Sequence, residues 1–322
     1  MSLTLEPATG PFLEQILRET HAVWADGLTP RAYAMFWEAQ LRTPWGRAHL
    51  DRVALVDGTT VVASAKRYDL PMRLDGRIRR VLGIGAVFTS PSHRGRGRAR
   101  LLLQRVLETA EAEGYEFALL FSEIGPELYE QLDFVPLPLT QSRLTVTRKD
   151  GAPAVLVRAL DERDLPAVAE TSAARAEGYR LTLDRSDELI AFGISRRRLL
   201  AGLGPAGLRQ TEVLVAEEGH QAVAYLVVSV EGDQWFIEDA ADRDPAGARL
   251  GAMLQVMLAR EPGQAPPEIH AWWPPTLTPP QITIAETRPS REVMMIRPLA
   301  AGTLPLPPIE GSQLLYWRLD AF

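Results

Sequence analysis

The stretch at residues 90–114, SPSHRGRGRARLLLQRVLETAEAEG, decides how this chain is read. Arginine occupies positions 94, 96, 98 and 100, and Gly95 and Gly97 separate the first three. The chain then turns apolar. Ala99, Leu102, Leu103, Val106 and Ala110 fall on one face of a helix, and Gly114 suits its C-terminal cap. A helix start presents unpaired N–H groups and a partial positive charge, so it binds anions. Glycines let the backbone close around a phosphate, and arginines add charge-assisted hydrogen bonds. Upstream, GRIRRVLGIGAVFTS (76–90) reads as a long strand interrupted by Gly83 and Gly85. Glycines inside a strand point to a bulge or a close backbone approach. Strand, arginine–glycine loop and amphipathic helix together make a pyrophosphate cradle.

Two other phosphate loops do not fit. A P-loop ends in Gly-Lys-Ser/Thr, and no lysine is near; the only lysines are Lys66 and Lys149. The dinucleotide fingerprint needs a third glycine, but Phe88 and Arg100 stand where it would be. A nucleic-acid surface is disfavoured by the net charge of −6 and by the lack of aromatic residues interleaved with the arginines. With no cysteine there are no disulfides, thiolate metal sites or cysteine nucleophile, which fits a cytoplasmic protein. No apolar run approaches the roughly 20 residues of a membrane span, and MSLTLEPATG lacks the features of a signal peptide.

At 322 residues the chain is long enough for two domains. Residues 1–150 carry 19 basic and 18 acidic side chains, whereas 151–322 carry 16 and 23, so the second half is acidic. Helices are expected to about Asp26 and over 29–42. A hairpin is expected over 52–70 around Asp57-Gly58, then a buried strand over 116–122 and a short helix over 126–132. DFVPL and SRLTVT are read as closing that unit. EVLVAEEGHQAVAYLVVSV (212–230) repeats the hairpin pattern of 52–70, and a helical face with Leu250, Met253, Leu254 and Met257 follows, so the chain reads as an internal duplication. The linker is placed at 148–153, AWWPPTLTPP (271–280) is a proline-rich insertion, and LLYWRL (314–319) is a last strand.

VFTSPSHRGRGRA resembles the coenzyme-binding motif of the GCN5-related N-acetyltransferase (GNAT) family, with Arg94, Gly97 and Ala99 at its fixed positions. LYEQLDF (128–134) is similar to the family's later Leu-Tyr-x-x-x-Gly-Phe element, with Asp133 where glycine is usual. The resemblance implies an α/β fold with mixed, mostly antiparallel sheets in two tandem acetyltransferase-like domains. These are a catalytic domain at 1–148 and a degenerate copy at 149–322. It implies acetyl-CoA as the cofactor, with its pyrophosphate on Gly95, Arg96, Gly97, Arg98 and Ala99 beside Arg94. Its pantetheine arm would lie along the backbone of Val87 and Thr89. Tyr129 matches the tyrosine that protonates the leaving sulfur, and backbone N–H groups near Gly85 to Val87 are candidates for holding the oxyanion.

The general base is open. The long strand has no glutamate, which leaves Glu123, His93 and the main-chain carboxylate of Phe322. Bacterial acetyltransferases of the Eis type resemble the plan in part: one active domain, one degenerate domain and a C-terminal carboxylate in the active site. In the second half, Asp242, Asp244 and Pro245 oppose phosphate binding where the cradle would be. That half is read as a wall for the acceptor or a homodimer face. Glu238 and Asp239 either line an acidic cleft or lie at a solvated strand end, and Trp272 and Trp273 are a substrate wall or loop anchors.

The expected function is acetyl transfer from acetyl-CoA to a primary amine by direct attack in a ternary complex. The alternative is a non-catalytic acyl-CoA-binding module. A small-molecule amine is the expected partner. LLFSEIGPELYEQLDF is similar to fungal lysine N-acetyltransferases, which suggests an amino acid; the acidic second half suggests a polyamine instead.

Overall fold

Alternation in LDRVALVD sends side chains to both faces of a central strand. Val53 and Leu55 join a core with Leu102, Leu103 and Val106, while Ala54 and Val56 pack with Ile16 on the opposite face. In this computed structural model residues 3–147, 155–260, 266–299 and 306–322 are described. In chain order the first half comprises β1 (Thr4–Pro7), α1 (Gly10–Trp24), α2 (Pro30–Arg42), α3 (Pro44–His49), β2 (Leu50–Asp57), β3 (Thr60–Leu74), β4 (Arg77–Thr89), α4 (Arg98–Ala112), β5 (Phe117–Ser122), α5 (Glu127–Glu130), β6 (Val135–Pro136) and β7 (Thr140–Val146). The second half comprises β8 (Leu156–Ala159), α6 (Leu165–Ala176), β9 (Leu181–Leu183), α7 (Asp187–Leu203), β10 (Gln210–Glu218), β11 (Gln221–Glu231), β12 (Gln234–Asp242), α8 (Ala248–Leu258), β13 (Glu268–Ala271), β14 (Ile282–Pro289), β15 (Val293–Pro298) and β16 (Leu314–Leu315). Among the described residues, no helix is long and apolar enough to cross a membrane.

Helix starts follow their capping residues. Thr29 accepts from the Ala32 N–H at 3.2 Å ahead of Pro30, and Thr43 accepts from Gly46 at 3.0 Å ahead of Pro44. Ser186 does the same for α7. Helices α3 and α7 are absent from the sequence reading, although the Thr43-Pro44 and Ser186 signals announce them.

The chain forms two compact units. One is Met1–Leu137 with Glu292–Ile309 and Phe322; the other is Pro138–Arg291 with Glu310–Ala321. The first has a sheet in the order β1-β2-β3-β4-β5-β15-β6, in which only β4 and β5 run parallel. The second has the order β14-β7-β13-β12-β11-β10-β8, in which only β12 and β13 run parallel. Helix α8 packs Leu250, Met253, Leu254 and Met257 onto that second sheet.

The repeated hairpin is therefore real in the backbone, but the halves are not contiguous blocks. The strand SRLTVT does not close the first unit. As β7 it pairs with β13 and β14, and β15 takes the corresponding place between β5 and β6. Alternating side chains specify a strand but not its sheet. The expected linker at 148–153 lies outside the described residues. LLYWRL is also shorter as a strand than expected. Only Leu314 and Leu315 pair, with Leu181 and Thr182, and a 3-10 turn follows at Arg318–Asp320.

Asp133 closes α5 with a φ of 60°. The Asp133 N–H donates to Glu130 and the Phe134 N–H to Tyr129, which is the geometry of a Schellman cap. That left-handed position explains why glycine is usual there, and aspartate is among the side chains that best tolerate it. Asp133→Gly is expected to raise unfolding stability by ~0.5–1 kcal/mol, and Asp133→Val to lower it by at least as much. Urea-unfolding midpoints check both.

Candidate active site

Strand β4 pairs with β5 only from Val81 to Ile84; beyond that its register is given by β3 alone. Opposite β3, Ser64 pairs with Phe88 and Lys66 with Gly85, so Ala65 faces two residues, Ala86 and Val87. This is a β-bulge, and Ala86 adopts a φ of 48°, strained for a residue with a Cβ. The bulge turns the β4 backbone out of its ladder where β5 has left it. Val87 and Thr89 lie on this segment, each half-buried.

The segment leads into the cradle. Gly95 and Gly97 have φ of 71° and 69°, and a Cβ at either would meet nothing within 4 Å. Gly97 is the N-cap of α4, and no side chain caps this helix. Its first N–H groups are thus left for a ligand, with Arg94, Gly95, Arg96 and Gly97 exposed and Arg98 and Ala99 half-buried. Arg94 Nε donates to the Thr89 carbonyl at 3.4 Å, tying loop to strand. An open glycine backbone, an uncapped helix start and four arginines fit the pyrophosphate of acetyl-CoA.

The other face of β4 is bare for a different reason. A Cβ on Gly83 would lie 2.8 Å from the Phe322 ring and 3.0 Å from Tyr68 Cβ. A Cβ on Gly85 would lie 3.2 Å from both the main-chain carbon and the oxygen of Phe322. The Phe322 ring packs 4.6 Å from Tyr68 and 5.4 Å from Phe121, centroid to centroid. The two strand glycines thus accommodate residue 322, whose main-chain carbon and oxygen lie at the start of the bulge. Tyr129 is buried in the core that contains Leu82, Ile84 and α4, and burial pushes its phenol above the ordinary value. Glu123 is exposed in the bend after β5, and His93 is half-buried in the 3-10 turn after β4.

The second unit repeats these devices and fills them. Strand β12 bulges at Glu238, and Gly247 at the start of α8 has a φ of 70°. Here the anion is internal. The buried Asp242 carboxylate accepts from the Arg249 N–H at 2.9 Å and from Arg249 Nη1 at 2.8 Å. A Cβ on Gly247 would lie 2.9 Å from Leu277 in the proline-rich insertion. Asp242 also borders an open cleft of about 530 Å³ with Arg175, Tyr179 and Arg243.

Glu238 and Asp239 are neither solvated nor cleft-lining. Asp239 pairs with Arg185 and accepts from the Tyr225 hydroxyl at 3.0 Å. Glu238 lies 2.9 Å from Arg197. Arg185 also reaches Asp320 at 3.2 Å, and burial pushes the Asp320 carboxyl up to about 7 against that cation's pull. Arg196 donates to the Ala321 carbonyl and Arg197 to that of Arg318. Both tryptophans of the insertion are buried, and the Trp273 indole donates to Leu277, a loop-anchoring role.

The model of the acetyltransferase (GNAT) domain family matches residues 5–136, from β1 through β6. That part of the chain is similar to GNAT acetyltransferase domains. A search of curated proteins finds no match. Among solved structures, a GCN5-related N-acetyltransferase from Kribbella flavida aligns with a TM-score of 0.68 at 19% identity, covering 92% of this chain and 71% of that one. One from Anabaena variabilis aligns at 0.66 and 14% identity, covering 92% and 73%. Eis1 from Mycobacterium abscessus aligns at 0.55 and 14%, covering 92% and 74%. At such identities the likeness is one of fold, and it extends over nearly the whole chain.

Sequence reading passes over Arg52 and Lys66. They are direct partners across β2 and β3, and Lys66 is in turn the partner of Gly85 on β4, so the three form one row across the sheet. The signal is present in LDRVALVD: Arg52 stands in phase with Leu50, Ala54 and Val56 in a strand buried on both faces.

Proposed function

We propose that the chain transfers an acetyl group from acetyl-CoA to a primary amine by direct attack in a ternary complex. The observation that carries this reading is the uncapped start of α4, with an open glycine backbone, beside a bulged strand released from its neighbour. Backbone N–H groups of Gly95 to Ala99 would hold the pyrophosphate, with Arg94, Arg96 and Arg98 neutralising it. The main chain of Val87 and Thr89 would guide the pantetheine arm. When bound, acetyl-CoA supplies an acyl group on a sulfur leaving group.

The remaining chemistry falls to the chain itself. A primary amine is protonated near neutral pH and must lose a proton to become a nucleophile. The Phe322 carboxylate, held against Gly85, is our choice of base. Glu123 is the competing candidate, and its exposure makes it the weaker one. N–H groups freed at the Gly85–Val87 bulge would hold the developing oxyanion. Tyr129 Oη holds the proton that the leaving sulfur needs, and its raised pKa keeps it in the donor form.

Calorimetric titration with acetyl-CoA is expected to find one site per chain, because Asp242 already occupies the second anion site. Gly97→Glu should abolish binding. Two sites, or none, would reject this reading of the cradle.

Tyr129→Phe is expected to lower kcat by roughly 100-fold while leaving acetyl-CoA affinity within about twofold. In the unaltered enzyme no alkaline fall in kcat should come from this group below pH of about 10, since a raised phenol pKa keeps the proton on through that range. A short extension after Phe322 should lower kcat by at least about tenfold at unchanged coenzyme affinity. Unaltered turnover would transfer the role of base to Glu123.

A further inference from the structure

The second unit has an opening of its own, beside the anion site that Asp242 fills. It is a cleft of about 530 Å³, a size suited to small organic ligands. The end of α6, the loop after β12, Thr276 of the insertion and Ser312 wall it, and all of them belong to one unit. Arg175 ties the walls together. Its Nη1 donates to the Pro245 carbonyl at 3.3 Å, and Nη2 donates to the Tyr179 and Thr276 hydroxyls at 2.9 and 2.7 Å. These acceptors are all neutral, and Nε is buried without a partner. Among the described residues no carboxylate pairs with Arg175. Arg243 is exposed in the loop after β12, and among the described residues its side chain donates no hydrogen bond. Its attraction reaches Glu218 through space, and that acid is bonded to Arg249 at 2.8 Å.

The lining is therefore short of acceptors. Tyr179 and Thr276 both accept from Arg175 and share one hydrogen between their oxygens, which leaves the second hydroxyl hydrogen over. Ser312 is exposed at the same opening. The Asp242 carboxylate does not serve these donors. It is occupied by the Asp244 N–H at 2.9 Å and by the Arg249 N–H and Nη1. Asp244 turns back onto the Ala246 N–H at 3.0 Å. Glu177, exposed at the end of α6, is the free acid of the lining. Two guanidinium groups and two hydroxyl hydrogens thus face one opening.

We infer that this cleft binds a small molecule bearing a carboxylate, at a site separate from the cradle of the first unit. Arg175 and Arg243 supply the charge, and the Tyr179–Thr276 pair and Ser312 supply neutral hydrogen bonds. The geometry favours a carboxylate over a phosphate dianion, because Glu177, Asp242 and Asp244 make a second negative charge unfavourable. The start of α8 is already filled, so no helix N-terminus takes part. The site is independent of the chemistry proposed for the first unit.

The test uses the full chain and two probes of one shape, benzoate and benzamide, with phenyl phosphate as the dianion. Each is followed by ligand-observed NMR titration. Benzoate is expected to bind at least about tenfold more tightly than benzamide, and more tightly than phenyl phosphate. Arg175→Gln should remove the preference for the carboxylate. Arg243→Gln changes an exposed side chain and leaves the fold intact; it should lower benzoate affinity at least about threefold. Glu177→Gln should raise it about twofold, a change of opposite sign that a merely structural role would not produce. Binding in the Gly97→Glu chain should match that of the unaltered chain, since the cleft belongs to the other unit.

Equal affinity for benzoate and benzamide, binding of neither, tighter binding of phenyl phosphate, or a preference that survives both arginine substitutions would overturn the carboxylate site. So would loss of binding in Gly97→Glu, which would put the anion at the start of α4. Absence of acetyl-CoA binding, by contrast, would count against the cradle alone.

Discussion

The segment Gly83–Thr89 of β4 must satisfy incompatible demands along one stretch of backbone. Up to Ile84 it is an interior strand, bonded on both sides and sealed by α4. From Gly85 it swings out through a bulge whose Ala86 is held in a left-handed conformation. Such strain of about 1–3 kcal/mol persists only where the surroundings over-determine it. They do: the Lys66 and Phe88 pairings fix both ends, and Phe322 covers the glycine face. The cradle depends on this, because the direction in which β4 leaves the sheet decides where the Gly95–Gly97 loop and the α4 start lie. A side chain at Gly83 or Gly85 would displace Phe322 without touching the phosphate end.

The two units show what the same scaffold does with a helix N-terminus that must be satisfied. In the first, α4 is left uncapped and glycine keeps the approach clear. In the second, Asp242 is folded back onto Arg249 and the insertion packs against Gly247. The bulge of β12 likewise turns inward two acids that the sequence leaves open to solvent, and Arg185 and Arg197 neutralise them. A buried ion pair is weak evidence of stability, since desolvation offsets much of the attraction. What this cluster supplies is placement: Arg185, Arg196 and Arg197 together fix residues 318–321.

What could be read in advance was local. The arginine–glycine loop, the face of α4 and the duplicated hairpin each announce themselves within about 20 residues, where spacing and turn chemistry act. The close approach at Gly83 and Gly85 was also legible, though not that Phe322 makes it. The destination of SRLTVT was not, because a strand's alternation is the same whichever sheet it joins. Arg52 escaped for the opposite reason. An arginine among apolar residues reads as a surface edge until β2 is known to be covered on both faces. The acids of β12 misled in the same way, their partners lying about 40 to 80 residues away at Arg185, Arg197 and Arg318.

The exchange of β7 and β15 sets an order on how the protein comes into being. A ribosome releases β1 to β6 first, but the strand that belongs between β5 and β6 is encoded some 160 residues later. Until then β5 has an open edge on its outer side, carrying the apolar run FALLF, the kind of surface on which chains associate wrongly. The second unit, by contrast, has all seven strands of its main sheet once Pro289 has emerged. The sheet of the first unit is thus the later of the two to close, although its first strands are made before any of the second.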